Sequence, residues 1–438
     1  MSSPSQGSDA VLYIRVECGS WRLGMMTANG TQSGNDLTCQ RYSLYGYNWK
    51  IEDTEIVIGE INNEKKMTTC KRTHFLALFL LVVIMISSCD KKIPVRIGFV
   101  GGLTGRLSDL GIAGRNGAQL AIENINRSGG IKGRQVELII KNDEQNAEIA
   151  LKVDQELINE NVVAIIGHMT SSMSLAVLPL INENSIVMVS PTTSTNKLTD
   201  IDDYFFRVIP PNRSEIEHLT KVANKDLGLS EIAVIYDISN KGFTEGWYNA
   251  FKNEFENRGG QVVKTVSFTS SKNTSLLEIA EEITATKPAG LVIIAGALDA
   301  AGICQQIQKL GHTLPIFSTG WALSEEFIRQ GGTAVNNVIF SQIYNKQSQN
   351  KLFLEFKRNF VQRFGREPDF GSALAYEATQ IVLDALIRVK ETGNLKQAIL
   401  ERQSYNGLQG DITFGKYGDV ERQRILVTVK NRQFSVID

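Results

Sequence analysis

The sequence is poor in the residues that build disulfide frameworks and metal sites. Its 438 residues include 5 cysteines, none of them in a CxxC pair, and 4 histidines without an HExxH motif. These absences argue against a disulfide scaffold and against a zinc hydrolase. Proline is also scarce, at 9 residues, while 42% of the residues are hydrophobic. That composition is typical of a folded globular protein rather than a disordered chain.

An excess of charge of either sign is also lacking. Lys+Arg number 46 and Asp+Glu number 47, which gives a net charge of −1 and argues against general nucleic-acid binding. The glycine-rich stretch 111–117 has neither GxGxxG nor GxxxxGK[ST] spacing, so no nucleotide site is predicted. We therefore expect no cofactor, no metal and no nucleic-acid partner.

One long apolar run stands out, at residues 75–86 (FLALFLLVVIMI). It is shorter than the roughly 20 residues that span a bilayer but fits the apolar region of a signal peptide. Lys71 and Arg72 precede it, and the Ile86–Cys89 sequence that follows resembles the lipobox of bacterial lipoproteins. A buried core helix is the alternative. We predict a lipoprotein signal peptide over 67–88 and a lipid-anchored Cys89, which the lipobox resemblance makes the mature N-terminus.

Residues 1–66 precede this signal and are rich in Ser, Gly, Asn and Thr. Our hypothesis is that Met67 is the true start and that 1–66 is a non-native or untranslated extension. The mature protein would then lack three of the cysteines, Cys18, Cys39 and Cys70. With Cys89 acylated and Cys304 alone, no intramolecular disulfide is expected.

From residue 93 onward, short Val/Ile-rich runs alternate with amphipathic stretches, as in βαβ units with a parallel sheet. The predicted strands are Val95–Val100, Gln135–Lys141, Val162–Ile166, Val187–Ser190, Ile232–Tyr236, Val262–Ser267, Leu291–Ala295 and Leu314–Phe317. The predicted helices are Gly114–Asn126, Ser172–Asn184, Ser214–Leu227, Thr244–Arg258, Ser275–Thr286 and Ala300–Leu310. Near the end, Asp411–Phe414 and Ile425–Val429 are predicted to pair as an antiparallel hairpin.

Hydroxyl-rich loops follow two neighbouring strands, at 167–174 and at 190–195. Ligands of open parallel sheets bind beyond the carboxyl ends of the strands. Side-chain hydroxyls and the free amides of a helix N-terminus can together hold a carboxylate. Plain helix capping by Ser and Thr is the alternative.

Several segments resemble the leucine/isoleucine/valine-binding proteins of branched-chain amino acid ABC transporters. They are IGFVGGLTGRLSDLGIAGRNGAQLAIENINRSGGIKGRQVELIIKND, AIIGHMTSSMSLAVLPLINENSIVMVSPTTSTNKLT, FRVIPPN, STGWA and LQGDITFGKYGDV. The resemblance implies the type I periplasmic binding protein fold, a hinged clamp of two Rossmann-like α/β lobes with parallel sheets joined by crossover strands. Lobe one would be 93–211 plus about 341–424, and lobe two 212–340 plus about 425–438.

The resemblance also implies a ligand site. Ser171, with Ser172 beside it, matches the position whose hydroxyl meets the ligand carboxylate. Thr192 and Ser194, with Thr193 between them, match the second carboxylate-binding loop. The remaining implied contacts, from both lobes, are Leu110, Phe243, Thr319 and Trp321.

The end of the site that receives an ammonium group departs from the family pattern. Its amino-acid binders carry acids where this sequence has Asn212 and Thr319. Asp299 could substitute, or it could cap the helix that follows it. Because a buried ammonium without an anion costs several kcal/mol, our hypothesis is a carboxylate or amide ligand with an apolar or neutral remainder.

An enzyme is not predicted. His168 lies near Ser171, but there is no GxSxG elbow, and a structural histidine is the simpler interpretation. We predict a solute-binding lipoprotein of an ABC importer, with permease and ATPase partners, held by its lipid on the periplasmic face of the inner membrane or the outer face of the cell membrane. The alternative is a lipoprotein of the same fold that acts as a ligand sensor or partner-protein regulator.

Overall fold

The computed structural model divides the chain into two units, Met1–Lys91 and Lys92–Asp438. It describes residues 92–270, 273–389 and 395–437, together with the backbone of five strands in the first unit. These strands form an antiparallel sheet in the order β2-β1-β5-β4-β3. Their bounds are β1 Ala10–Glu17, β2 Ser20–Thr27, β3 Arg41–Leu44, β4 Tyr47–Glu52 and β5 Glu55–Ile58. The apolar run 75–86, Met67 and Cys89 lie outside the described residues, so their interpretation stays a prediction.

The second unit contains three sheets, which account for the other strands of the described residues. The strands are β6 Val95–Gly101, β7 Val136–Asn142, β8 Ala164–Ile166, β9 Val187–Ser190, β10 Phe205–Arg207, β11 Glu231–Asp237, β12 Gln261–Phe268, β13 Gly290–Ile294, β14 Ile316–Ser318, β15 Ile339–Gln342, β16 Ser404–Gly407, β17 Gly410–Phe414, β18 Val420–Glu421, β19 Ile425–Lys430 and β20 Gln433–Ile437. Each predicted strand corresponds to one of these, within a few residues at its ends.

The α-helices of the described residues lie between these strands, and the last three follow one another between β15 and β16. They are α1 Ser108–Arg127, α2 Ala147–Asn159, α3 Ser171–Glu183, α4 Arg213–Lys221, α5 Lys241–Asn257, α6 Leu276–Thr284, α7 Ala297–Lys309, α8 Glu325–Gly331, α9 Lys351–Phe364, α10 Phe370–Arg388 and α11 Leu395–Arg402. After α4 the chain continues as a π-helical turn, Val222–Asp226.

The first lobe is built on a parallel sheet in the order β10-β9-β8-β6-β7. Its central strands are apolar and buried, as covering by helices on both faces requires. Helix α10 packs closely on α1, and a Cβ at Gly117 would lie 2.0 Å from the carbonyl oxygen of Ser372. Glycine at 117 therefore allows the helix from near the chain end to pack onto the first lobe.

The second lobe is built on a seven-stranded sheet in the order β12-β11-β13-β14-β15-β19-β20. Its first five strands are parallel, and β19 and β20 join antiparallel. Three segments connect the lobes: 208–212 after β10, 343–350 after β15, and 422–424 between β18 and β19. We call these the crossover segments. Two α/β lobes joined in this way confirm the predicted fold class.

The hairpin predicted near the chain end is wrong. Strand β17 pairs instead with the two-residue β18, through Phe414 and Val420, after a turn closed by a bond from the Gly415 N–H to the Asp419 carbonyl (2.7 Å). Strand β19 lies in the other lobe, between β15 and β20. It pairs with two strands there, and its central residues are buried, which a lone hairpin would not provide.

Candidate functional site

A small cavity of about 30 Å³ lies between the two lobes. It opens at the carboxyl ends of β8, β9 and β14, the edge where ligands of parallel sheets bind. The residues that line it are Leu110, Met169, Thr170, Ser171, Thr192, Ser194, Ile209, Glu215, Asn240, Phe243, Gly320, Trp321, Gln342, Phe370 and Arg424.

The first lobe contributes the hydroxyls predicted from the sequence. Ser171 is the first residue of α3, and Thr192 and Ser194 follow β9. The Thr192 hydroxyl donates to the carbonyl of Met169 at 2.5 Å. The hydroxyls of Ser171 and Ser194 make no hydrogen bond with the described part of the chain. Two free donors thus face the cavity beside a helix N-terminus, an arrangement suited to a carboxylate.

Ser172 and Thr193, two other predicted ligand contacts, do not line the cavity. The Ser172 hydroxyl accepts from the Gly242 N–H (3.0 Å), and its own N–H donates to Asn240 Oδ1 (3.1 Å). Because Gly242 and Asn240 belong to the second lobe, Ser172 bridges the lobes. Thr193 is buried, and its hydroxyl lies 2.8 Å from that of Ser174. Both residues support the loops that carry the cavity hydroxyls.

Apolar side chains close the cavity from both lobes. Leu110 on α1 and Phe370 on α10 come from the first lobe, and Phe243 and Trp321 from the second. The rings of Phe243 and Trp321 meet edge to face, with centroids 6.2 Å apart and planes at 88°. Leu110, Phe243 and Trp321, three of the ligand contacts predicted from the sequence, thus line the cavity, and this wall suits a hydrocarbon portion of a ligand.

The three candidates for the ammonium end lie outside the cavity lining. Asp299 is fully buried and bonds Arg106 of the first lobe and the Ser270 hydroxyl. It is not the helix cap either, because α7 begins at Ala297 with Gly296 as its cap. The Asn212 N–H donates to the Ser194 carbonyl at 2.7 Å, which supports the carboxylate loop. The Thr319 hydroxyl is buried without a hydrogen-bond partner in the described chain.

The cavity nevertheless contains a carboxylate that the sequence analysis missed. Glu215, only 4% exposed, accepts from the Gly320 N–H at 2.9 Å and from the Trp247 indole at 3.4 Å. Burial raises its pKa, against the opposing charge of Arg424. The sequence analysis considered an acid only at Asn212, Thr319 and Asp299, and did not consider Glu215. Its position in the sequence could have indicated this residue, because Glu215 lies one helical turn after Asn212, where the first crossover segment leads into α4.

Arg424, also missed, enters the same cavity from the last crossover segment. Its Nε donates to the Ser214 hydroxyl at 2.8 Å and its Nη1 to the Ser341 carbonyl at 3.3 Å. Its Nη2 is buried and has no partner in the described chain. Burial lowers the pKa of this guanidinium, and the charge of Glu215 opposes that shift. The cavity thus has neutral hydroxyls on one lobe and two opposite charges near the crossover segments.

Comparison with known proteins identifies the family. The sequence profile described as periplasmic binding protein matches residues 94–433, most of the chain. This chain belongs to the periplasmic binding protein family. A Leu/Ile/Val-binding protein homolog of Brucella melitensis biotype 1 is 26% identical over 253 residues, covering 56% of this chain and 67% of the relative. A leucine-binding protein from Thermotoga maritima, of known structure, is 27% identical with a TM-score of 0.72, covering 78% of this chain and 98% of that one.

A periplasmic binding protein binds its solute without converting it, so the prediction of a non-enzymatic protein is confirmed. In this one, His168 is a structural residue. Its Nδ1 lies 2.9 Å from Asp143 and its Nε2 3.1 Å from Asp154, and all three side chains are fully buried. The ring therefore faces two carboxylates rather than Ser171. Its carbonyl accepts the Ser190 hydroxyl at 2.6 Å, which fixes the loop preceding Ser171.

Two further observations concern the described residues of this periplasmic binding protein. They contain no group of three or more side chains placed to hold a metal ion. Within the same ranges, no helix has the length and apolar character needed to cross a bilayer.

Proposed function

We propose that this chain is the extracytoplasmic solute-binding lipoprotein of an ABC importer and that its lobes close on a small ligand bearing a carboxylate, an amino acid or a related acid or amide. The observation that carries the proposal is the pair of unpartnered hydroxyls, Ser171 and Ser194, facing a cavity between two lobes. Hydroxyls beside a helix N-terminus can neutralise a carboxylate without a cationic side chain.

Binding in two steps follows from the division of the lining residues between the lobes. The ligand carboxylate first meets Ser171, Ser194 and the Thr192 loop on lobe one. Phe243 and Trp321 of lobe two then cover the ligand, and its binding energy shifts the population towards the closed arrangement. The bonds of Ser172 to Asn240 and Gly242 support this proposal because they join the lobes beside the cavity.

The named specificities of the relatives support an amino-acid-like ligand. Glu215 brings a carboxylate into the cavity, but Arg424 lies in the same cavity, so the two together offer no net negative charge to an ammonium group. The proposed lipid at Cys89 would leave only Asp90–Pro94 before β6, a reach of at most about 17 Å. A tether of that length would keep the protein close to membrane-embedded permease subunits.

A thermal-shift screen tests the binding proposal. The purified chain would be unfolded and refolded to remove carried-over ligand, then mixed with amino acids, deaminated carboxylates, aromatic acids, amides and short peptides. A ligand at a hundredfold excess over its Kd should stabilise the native state by about 2.7 kcal/mol. A large shift with one class of carboxylate would support the proposal. No shift with any of them would contradict it and favour the partner-regulator alternative.

Mass spectrometry of the native protein tests the lipoprotein proposal separately. The expected N-terminal peptide begins at a diacylated Cys89. Peptides from residues 1–66, or an unmodified Cys89 inside a longer peptide, would contradict the predicted processing.

A further inference from the structure

We propose that Glu215 and Arg424 form a subsite that binds a carboxamide, so that the ligand carries a second, neutral polar group in addition to its carboxylate. We call these two residues the charge pair. This inference rests on the proposed function and names its ligand class more narrowly. Glu215 enters the cavity just after the first crossover segment, and Arg424 is the last residue of the third.

The first step concerns Arg424 Nη2, which is buried and has no hydrogen-bond partner among the described residues. A guanidinium stays charged in proteins, and a buried donor without an acceptor carries the full cost of its desolvation. The other nitrogens of Arg424 hold Ser214 and Ser341 of the second lobe, so the side chain is already fixed in place. A ligand oxygen that reached Nη2 would complete its hydrogen bonding.

The second step concerns Glu215, whose two oxygens each accept one hydrogen bond from the protein. A carboxylate can accept about four, so capacity remains for a donor from the ligand. No ion pair within 4.0 Å joins Glu215 to Arg424 in the described chain. The two members of the charge pair therefore do not already satisfy each other through a direct ion pair.

Charge decides which group fits between them. An ammonium there would place a second cation beside Arg424, and a carboxylate would place a second anion beside Glu215, both in a buried site. A carboxamide adds no charge. Its N–H would donate to Glu215, and its carbonyl would accept from Arg424, so both members of the charge pair would be satisfied.

Gly320 leaves the room for this group. A Cβ at residue 320 would lie 2.6 Å from Gln342 Nε2 and 3.8 Å from Glu215 Oε1. Any larger residue would therefore force the Gln342 side chain, which lines the cavity, to move. The Gly320 N–H also holds the Glu215 carboxylate in place at 2.9 Å.

Calorimetric titration with two matched sets of probes tests the subsite. The first set is glutaramate, glutarate and hexanoate; the second is L-glutamine, L-glutamate and L-norleucine. Within each set the carboxylate to be held by lobe one is constant and the far end is a carboxamide, a carboxylate or a methyl group. We expect the carboxamide of each set to bind about ten- to a hundredfold more tightly than the carboxylate or the methyl compound of the same set. This is the difference in affinity that a hydrogen bond to a charged group produces.

Variants assign that preference to the charge pair. Arg424→Met should reduce the ratio of carboxamide to hydrocarbon affinity by about ten- to a hundredfold. Glu215→Gln should reduce it as well, while its amide oxygen can still accept from Gly320. Ser171→Ala is the control, since it should weaken every probe and leave the ratio unchanged. If Arg424→Met does not fold, Arg424→Lys is the second variant, because it keeps the positive charge but lacks the branched guanidinium group.

The outcomes separate this inference from the proposed function. If hydrocarbon acids or norleucine bind as tightly as the carboxamides, the subsite is refuted while the solute-binding function stands. A ratio unchanged by both Arg424 variants would also refute it. If no probe binds and the broader carboxylate screen is negative, the proposed function fails and the subsite with it.

Discussion

The buried cluster of Asp143, His168 and Asp154 should make the stability of this protein depend on pH in the alkaline range. Burial by itself would lower the pKa of His168, but the two carboxylates, Asp154 foremost, outweigh it and raise the pKa to about 10 from a usual 6.5. His168 is thus a cation in the folded protein at neutral pH. In the unfolded chain, His168 is mostly neutral at this pH.

The sign and size of the effect follow from this difference. A pKa that is raised on folding stabilises the native state below the unfolded value, and that stability is lost as the pH rises through the folded value. Between pH 6.5 and about pH 10, each pH unit lowers the free energy of unfolding by about 1.4 kcal/mol. From about pH 7 to about pH 9.5, the protein should lose about 3 kcal/mol of unfolding free energy through this one group.

Denaturant unfolding at a series of pH values measures that loss. His168→Gln should show a much smaller loss over the same range, and a lower stability at neutral pH because two buried carboxylates are left without their cation. His218→Gln is the matched control: His218 is part-buried against Ser341 with no bonded carboxylate, so the alkaline loss should persist. If His168→Gln loses stability as the wild-type protein does, or if the imidazole of His168 titrates near pH 6.5 by NMR, the reasoning is refuted.

Three further predictions concern the cavity and the contacts around it. Replacing both Ser171 and Ser194 with Ala should weaken binding of the ligand found in the screen by more than about a hundredfold. The melting temperature of the ligand-free protein should not change. Normal binding by this double variant would rule out both residues as carboxylate contacts. Gly242→Ala should prevent the lobes from closing, because the new Cβ would lie 2.9 Å from a backbone atom of the opposite lobe. Small-angle scattering should then give the same radius of gyration with and without ligand, and a decrease like that of the wild-type protein would contradict this. Arg106→Met should speed ligand release severalfold by removing the bond between lobes to Asp299, whereas Arg106→Lys should restore most of the slow rate.

Much of the fold follows from local sequence pattern. Val187–Ser190 is a strand with the predicted bounds, and α3 differs from its prediction by one residue at each end. Apolar runs and helical periodicity are properties of neighbouring residues, so they can be read without knowing what they pack against. The wrong hairpin marks the limit of this reasoning. Strand β19 was predicted correctly, but its partners β15 and β20 depend on which sheet the chain enters after the third crossover segment.

The candidate site divides along the same line. The two hydroxyl-rich loops could be predicted because the ends of parallel strands mark the binding edge, and the family resemblance singled out Ser171 and Ser194 within them. Glu215 and Arg424 lie on the crossover segments and their flanks, where no strand end marks them. Asp299 was considered as an acid that could bind a ligand ammonium, but its side chain bonds Arg106 and does not line the cavity. Side-chain direction at such positions is set by packing between the lobes, which residue type alone does not reveal.

The arrangement of contacts between the lobes implies a condition on the ligand. The bonds Arg106–Asp299 and Asp109–Ser324 join the lobes outside the cavity lining, so their strength does not depend on what the cavity holds. Only a ligand that binds the closed arrangement better than the open one can shift the population between them. The free hydroxyls belong to lobe one, and the charge pair lies at the lobe-two end of the crossover segments. Under the proposed closure mechanism, a ligand that satisfied one end alone would bind one lobe without favouring closure, so recognition at both ends is expected to couple binding to closure.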